Sequence, residues 1–247
     1  MSFLRAILIT DPIAVLATIL YGAYAFAVSF FDPSGDRQMR VAKAWGRAVC
    51  FIARIRVEVE GLDKIKPGAH YIFTPNHLSY MDTPVLLASL PANFRFLAKR
   101  GLFQIPFLGT HLQRAGHVPV ALEDPRASIK ALTQAARIIN ERQISVLIFP
   151  EGGRSPNGEL QEFKDGAAYT AIKSGVPVIP VALCGTRAIL PMHSLHVRGG
   201  KVTVLIGDPI QTSGLKSHDR AALTAQIRAQ IVSLLEPPEH VHTILNK

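Results

Sequence analysis

The sequence predicts an α/β fold, a mainly parallel β-sheet flanked by helices, joined to an N-terminal membrane-anchoring helical segment. Three observations carry this. From about Val57 onward, strand-length apolar runs alternate with amphipathic helical stretches, the order that builds parallel sheets through crossover helices. Two of those runs, Ile144–Phe149 and Val176–Leu183, are apolar almost throughout, as strands buried on both faces are. Ahead of them lies Pro12–Phe31, twenty residues without a charge, held between Asp11 and Asp32.

At about 1.5 Å per residue, a helix over Pro12–Phe31 reaches across a hydrocarbon core of about 30 Å. A buried helix of the main domain is the alternative. A signal peptide does not fit, because Arg5 is the only early cation and no small-residue cleavage site follows the run. The basic residues Arg37, Arg40, Lys43 and Arg47 come next, and the positive-inside rule leaves them in the cytoplasm. Ala48–Ile55 is too short and too charged to span, and reads as an interfacial or core helix. The expected division is therefore a membrane-associated segment, 1–56, and an α/β catalytic domain, 57–247, at the cytoplasmic face of the inner membrane.

Within the second part, Arg56–Gly61 alternates as a strand ended by Gly61. Ala69–Asn76, Phe94–Arg100 and Gly116–Val120 supply three further strands. Asp124 is placed to cap a helix with Pro125 at its first position and Ile129, Leu132, Ala136 and Ile139 as its apolar stripe. After the strand Ile144–Phe149 come a helix closed by Gly175 and the strand Val176–Leu183. The strand Lys201–Ile210 follows, then a last helix with Leu223, Ile227, Ile231 and Leu234 at helical spacing. Sites in such sheets lie in loops beyond the carboxyl ends of strands.

Composition narrows the partners. There are 27 Lys and Arg against 18 Asp and Glu, a net charge of +9, and the mean hydropathy is +0.22. No clustered basic helix, zinc-finger spacing or aromatic-interleaved RNA motif accompanies that charge, so nucleic acid is not the expected partner. An anionic membrane surface or an anionic substrate is. Cys50 and Cys184 lie in apolar surroundings far apart in sequence and read as reduced, buried thiols. His193 and His196 have a loose ligand-like spacing without a carboxylate or cysteine beside them, and read as loop residues.

Two loops carry the chemistry. In Asn76–Asp82, NHLSYMD, the chain turns from strand into helix, with Ser79 placed to cap a helix entering at Tyr80. The turn can bring Asp82 back onto one nitrogen of His77. That is the arrangement of a general base and its orienting carboxylate, and imidazole titrates where proton abstraction near neutral pH requires. A surface histidine and a helix-start acid remain the alternative for so short a pattern. In Phe149–Ser155, FPEGGRS, the glycines at 152 and 153 allow close backbone approach, and Arg154 offers a planar fork that matches phosphate.

Together the blocks NHLSYMD, AKRGLFQIPFLGTHLQRAGHVPV, FPEGGRSPNGELQEFKDGA and VPVIPVAL, in that order, resemble the glycerolipid acyltransferases typified by 1-acylglycerol-3-phosphate (lysophosphatidic acid) acyltransferase. The resemblance runs from about Gly61 to Gly207. It implies a glycerol-3-phosphate acyltransferase-like fold and transfer of an acyl group from acyl-CoA or acyl carrier protein to a glycerol hydroxyl. No metal or other cofactor is implied. His77 becomes the base and Asp82 its orienting carboxylate. The expected substrate-binding residues are Asn76, Glu151, Gly152, Gly153, Arg154 and Ser155, with Lys99 and Lys164 as secondary anion contacts. Gly101–Leu108 could line an acyl groove or serve as a core-packed connection.

The chain departs from the family pattern at two places. Gly153 stands where threonine is usual, and Leu122 lies near the place of a customary arginine, for which Arg126 of the following helix is the alternative. Other lysolipids or glycerol 3-phosphate therefore enter as alternative acceptors. A non-catalytic lipid-binding protein would have no need of the base–carboxylate pair. A serine hydrolase using Ser79 lacks the G-x-S-x-G elbow, and Ser79 lies too close in sequence to His77 for the usual triad.

Overall fold

The structure, a computed structural model, describes residues 3–121, 123–194 and 196–236; Leu122 lies outside them. A short turn, α1 (Phe3–Arg5), passes through a π-helical stretch, Ala6–Thr10, into α2 (Asp11–Ser29). The continuous helix Ala6–Ser29 is long and apolar enough to cross a membrane, and only 11% of its apolar window is buried. That rules out the buried-helix alternative. Leu16, Ile19, Leu20 and Tyr24 stand more than half exposed along it. α3 (Asp36–Ile52) turns back beside α2, and Asp32 caps its start by accepting the Arg37 and Gln38 N–H groups at 2.7 and 3.0 Å.

Seven strands follow: β1 (Ile55–Glu60), β2 (Ile72–Pro75), β3 (Phe94–Lys99), β4 (Val118–Val120), β5 (Ser145–Leu147), β6 (Val178–Cys184) and β7 (Gly200–Ile206). Their spatial order is β1-β7-β6-β2-β5-β3-β4. Every neighbouring pair is parallel except β6 and β7. The helices are α4 (Asp82–Ser89), α5 (Leu108–Arg114), α6 (Pro125–Arg142), α7 (Gly166–Ser174), α8 (Thr186–Ile189) and α9 (Arg220–Leu235).

The two faces of the sheet carry separate apolar cores. On one, Met39, Val49 and Cys50 of α3 and Val85, Leu86 and Leu87 of α4 cover Phe73, Phe94 and Leu147. On the other, Ala135 and Ile139 of α6, Ala168 and Ala171 of α7 and Ile227 and Ile231 of α9 cover Ile72, Val146 and Val178. Ala48–Ile55 is thus the end of a core helix and the start of a strand. Two cations, Lys43 half-buried and Arg95 buried, lock α3 into this layer. The Lys43 ammonium donates to the Leu90, Pro91 and Ala92 carbonyls at 2.7–3.0 Å, closing the end of α4. Burial, with Arg47 nearby, pushes its pKa down to about 8. The wholly buried Arg95 guanidinium reaches Asp36 at 2.8 Å, Asn93 and the Ser34 carbonyl.

Details of the helices depart from the sequence pattern for visible reasons. Asp124 caps α6 as expected, accepting Arg126 and Ala127 N–H, but Ile129 is 53% exposed and the buried stripe runs through Ala131, Leu132, Ala135, Ala136 and Ile139. α4 starts at Asp82 rather than Tyr80, because the Ser79 hydroxyl accepts the Met81 N–H at 3.0 Å in a tight turn before the helix. Both cysteines are free; Cys50 is buried and Cys184 half-buried.

Candidate active site

The site forms where β2 and β5, adjacent and parallel in the middle of the sheet, end side by side. The chain leaving β2 is fixed first by Asn76. Its side chain donates to the Leu183 carbonyl at 3.2 Å and accepts the Leu183 N–H at 2.7 Å, stitching the strand end to β6. His77 follows, and its Nδ1 lies 2.7 Å from Asp82 Oδ2. The same carboxylate oxygen accepts the Leu78 and Ser79 N–H groups at 2.7 and 2.9 Å. An acceptor held by these donors fixes the proton of a neutral imidazole on Nδ1 and leaves the lone pair on Nε2. Asp82 is fully buried, with Oδ1 unpartnered among the described residues, whereas His77 keeps a 14% exposed edge. Its ring lies flat on Phe149, with centroids 3.8 Å apart.

The loop after β5 closes over this turn. The buried Glu151 accepts the His77 N–H at 2.6 Å through one oxygen, and the Gln161 N–H at 3.0 Å through the other. Burial pushes its pKa up, although those bonds favour the charged form. Ser155 returns a backbone N–H to the His77 carbonyl at 2.8 Å, while its hydroxyl donates to Asn157 and accepts the Gly158 N–H. Arg187 of α8 donates to the Pro156 carbonyl at 3.1 Å and supports the same loop from behind.

A cavity of about 600 Å³ opens above these strand ends. His77, Lys99, Gly152, Gly153, Arg154 and Lys164 all line it. Three cations therefore share one space with the imidazole. The cavity also has an apolar wall, with Leu97, Leu102, Leu112, Val120 and Leu132 in its lining. Of the segment Gly101–Leu108, Leu102 reaches that wall, while Ile105, Phe107 and Leu108 are exposed elsewhere. Gly152 has φ +73°, and a Cβ there would sit 3.1 Å from the Lys164 ammonium. At Gly153 a Cβ would meet nothing within 4 Å.

The expected site residues thus separate into two groups. Asn76, Asp82, Glu151 and Ser155 are buried and brace the two loops, while His77, Gly152, Gly153, Arg154, Lys99 and Lys164 face the cavity. Sequence reasoning missed Phe149 beneath the imidazole, Tyr80 beneath the Arg154 guanidinium and Gln161 on Glu151. Phe149 and Tyr80 stand inside the quoted motifs, but nothing in a linear motif says which aromatic ring will lie under which functional group. Ser79 is buried, and its hydroxyl donates to the Leu190 carbonyl at 2.7 Å, which leaves no role for it as a nucleophile. His196 pairs with Asp11 at 2.9 Å, joining the loop before β7 to the start of α2.

The sequence model of the Acyltransferase family matches residues 56–184. The chloroplastic 1-acyl-sn-glycerol-3-phosphate acyltransferase of Arabidopsis thaliana is 35% identical over 189 residues, covering 75% of this chain and 52% of the plant protein. The 1-acyl-sn-glycerol-3-phosphate acyltransferase of Borreliella burgdorferi is 30% identical over 186 residues, covering 75% of this chain and 74% of that one. The chain spans about half the length of the first plant relatives, 52% and 58%. Among solved structures, the 1-acyl-sn-glycerophosphate (LPA) acyltransferase of Thermotoga maritima superposes with a TM-score of 0.75 at 25% identity, over 97% of this chain and 100% of that one. With the sheet, its paired loops and these matches in agreement, the chain belongs to the acyltransferase family.

Proposed function

We propose that this chain is an O-acyltransferase that moves a fatty acyl group from acyl-CoA or acyl carrier protein to the free hydroxyl of 1-acylglycerol 3-phosphate, giving phosphatidic acid for phospholipid synthesis. One observation carries the reading: an imidazole oriented by a buried carboxylate shares its cavity with three cations and an apolar wall. The names of the relatives support the same acceptor.

His77 Nε2 takes the proton of the acceptor hydroxyl as its oxygen attacks the thioester carbonyl. Asp82 holds the imidazole in the required tautomer and stabilises the imidazolium. When the carbon–sulfur bond breaks, the imidazolium returns its proton to the departing thiolate. The thioester already contains an activated acyl group, so the step calls for no redox or metal cofactor. Arg154, Lys164 and Lys99 neutralise the acceptor phosphate, and the bidentate fork of Arg154 suits that group. The leucine-rich wall accommodates an acyl chain.

The N-terminal segment, residues 1–56, holds the domain 57–247 at the membrane through α2, on the cytoplasmic face of the inner membrane. The exposed apolar side of α2 and the net charge of +9 support this, because both favour a bilayer with anionic headgroups. Thioester consumption by purified protein tests the reaction, with lysophosphatidate, glycerol 3-phosphate and lysophosphatidylethanolamine offered in turn. Transfer to lysophosphatidate that disappears in His77→Ala is the expected result. Transfer to a different lysolipid alone would move the acceptor and keep the mechanism. Activity surviving His77→Ala would remove the mechanism itself.

A further inference from the structure

Arg154 differs from the other cations named above in how it is held. Its guanidinium carbon lies 3.8 Å from the centroid of the Tyr80 ring. No hydrogen bond or ion pair engages that guanidinium among the described residues. Gly153, the residue before it, is exposed with open space on its Cβ side, and its carbonyl accepts from Gln161 Nε2 at 3.0 Å, so the backbone is tied there while the Arg154 side chain is not. The aromatic face is the one fixed surface the side chain rests on.

Tyr80, in contrast, springs from a rigid turn. Ser79 on one side donates its N–H to Asp82 and its hydroxyl to the Leu190 carbonyl. Met81 on the other donates its N–H to the Ser79 hydroxyl. The hydrogen bonds that hold the His77–Asp82 pair therefore also hold the backbone from which the half-exposed ring projects. Tyr80 and Arg154 both line the cavity. A guanidinium stacked on a ring keeps all its N–H groups in the plane of the fork, free for a phosphate.

We propose that Tyr80 is a positioning residue for acceptor recognition: its ring sets the Arg154 fork at a fixed place relative to His77, so that the anchored phosphate brings the acceptor hydroxyl to the imidazole. The inference rests on the proposed transfer to a phosphate-bearing acceptor.

The test compares wild type, Tyr80→Leu, Tyr80→Phe and both Tyr80 variants in an Arg154→Ala background, with lysophosphatidate and with phosphate-free monoacylglycerol as acceptors. Tyr80→Leu is expected to raise KM for lysophosphatidate about 2- to 5-fold, the worth of one solvent-accessible stack, with kcat little changed. Tyr80→Phe, which keeps the face, restores KM. KM for monoacylglycerol does not move, and Tyr80→Leu adds nothing once Arg154 is alanine. Equal losses on both acceptors, an effect that persists without Arg154, or a fall in kcat alone would overturn the assignment. Tyr80→Gln provides a second side chain without a face, should the leucine variant misfold. Calorimetric titration of lysophosphatidate without donor reads the same contact without turnover. A wild type that binds lysophosphatidate without acylating it would remove the proposed reaction, and the stack would then stand or fall on whether Tyr80→Leu weakens that binding.

Discussion

The two loops that meet at the cavity are built in opposite ways. The turn from Asn76 to Asp82 is crosslinked throughout: Asn76 to Leu183, His77 to Asp82 and Glu151, Ser79 to Leu190. The tip of the facing loop, Gly152–Arg154, has two glycines and a cation that rests on a ring alone. Proton abstraction needs a nitrogen held within a fraction of an ångström, and the first loop supplies that at the cost of burying a carboxylate. A phosphate is large, and its charge acts over distance, so the second loop can leave its donors unpaired until the ligand arrives. The comparison assigns turnover to the first loop and acceptor affinity to the second.

The sharpest way to break that assignment is Asp82→Asn. The amide oxygen can still accept the Leu78 and Ser79 N–H groups, so the turn survives. That oxygen also keeps facing His77 Nδ1, so the NH2 takes the place of the unpartnered Oδ1 and what is lost is the negative charge that stabilises the imidazolium. Transfer should fall by about 10²–10⁴-fold, with roughly 1–3 kcal/mol of stability lost to the buried, unpaired NH2. An unchanged rate would mean that the pair is structural. Glu151→Gln is next, and it should register as instability. One of two acceptor oxygens becomes a donor aimed at an N–H, which costs roughly 1–3 kcal/mol in a denaturant titration.

The adjacent glycines should then respond in opposite directions. Gly152→Ala places a side chain at φ +73° and against Lys164, and should lose about 1–2 kcal/mol. Gly153→Thr has open space and an ordinary backbone conformation, and should gain about 0.4–1 kcal/mol through the unfolded chain.

A pH titration reads the contribution of one buried histidine to the fold. His117 is buried, and its Nδ1 accepts the Phe96 N–H at 3.0 Å. Burial, with Arg95 and His111 adding to it, pushes its pKa down from 6.5 to about 3. In that window the unfolded chain binds a proton that the folded chain refuses. Stability should therefore fall as pH drops from about 6.5 towards 3. His117→Asn, which keeps an acceptor facing Phe96, should flatten this slope in pH-dependent unfolding.

Much of the fold was legible because its strands are apolar runs between helix signals. Asp124 before Pro125 and Gly175 after Ser174 marked helix ends that the structure retains. The antiparallel β6–β7 pair was not legible, since a buried strand reads the same in either direction. Ile129 misled because helical spacing alone does not say which side of a stripe meets the core. In the site, the motifs put His77, Asp82 and Arg154 in play. They could not distinguish residues that face the cavity from Asn76, Glu151 and Ser155, whose polar groups turn inward to the backbone. Tyr80 and Phe149 escaped for the same reason: stacking partners come from different loops, and only the folded sheet brings those loops together.

The division of labour between the loops is tested most directly by resolving kcat from KM in acceptor titrations of wild type, His77→Ala and Arg154→Ala at saturating donor. His77→Ala should lower kcat by about 10²–10⁴-fold with KM little changed. Arg154→Ala should raise KM for lysophosphatidate by about 10- to 100-fold with kcat largely kept, the loss of a charge-assisted pair. If Arg154→Ala instead lowered kcat as steeply as His77→Ala while KM stayed put, the open loop would belong to the chemical step and the comparison would be wrong.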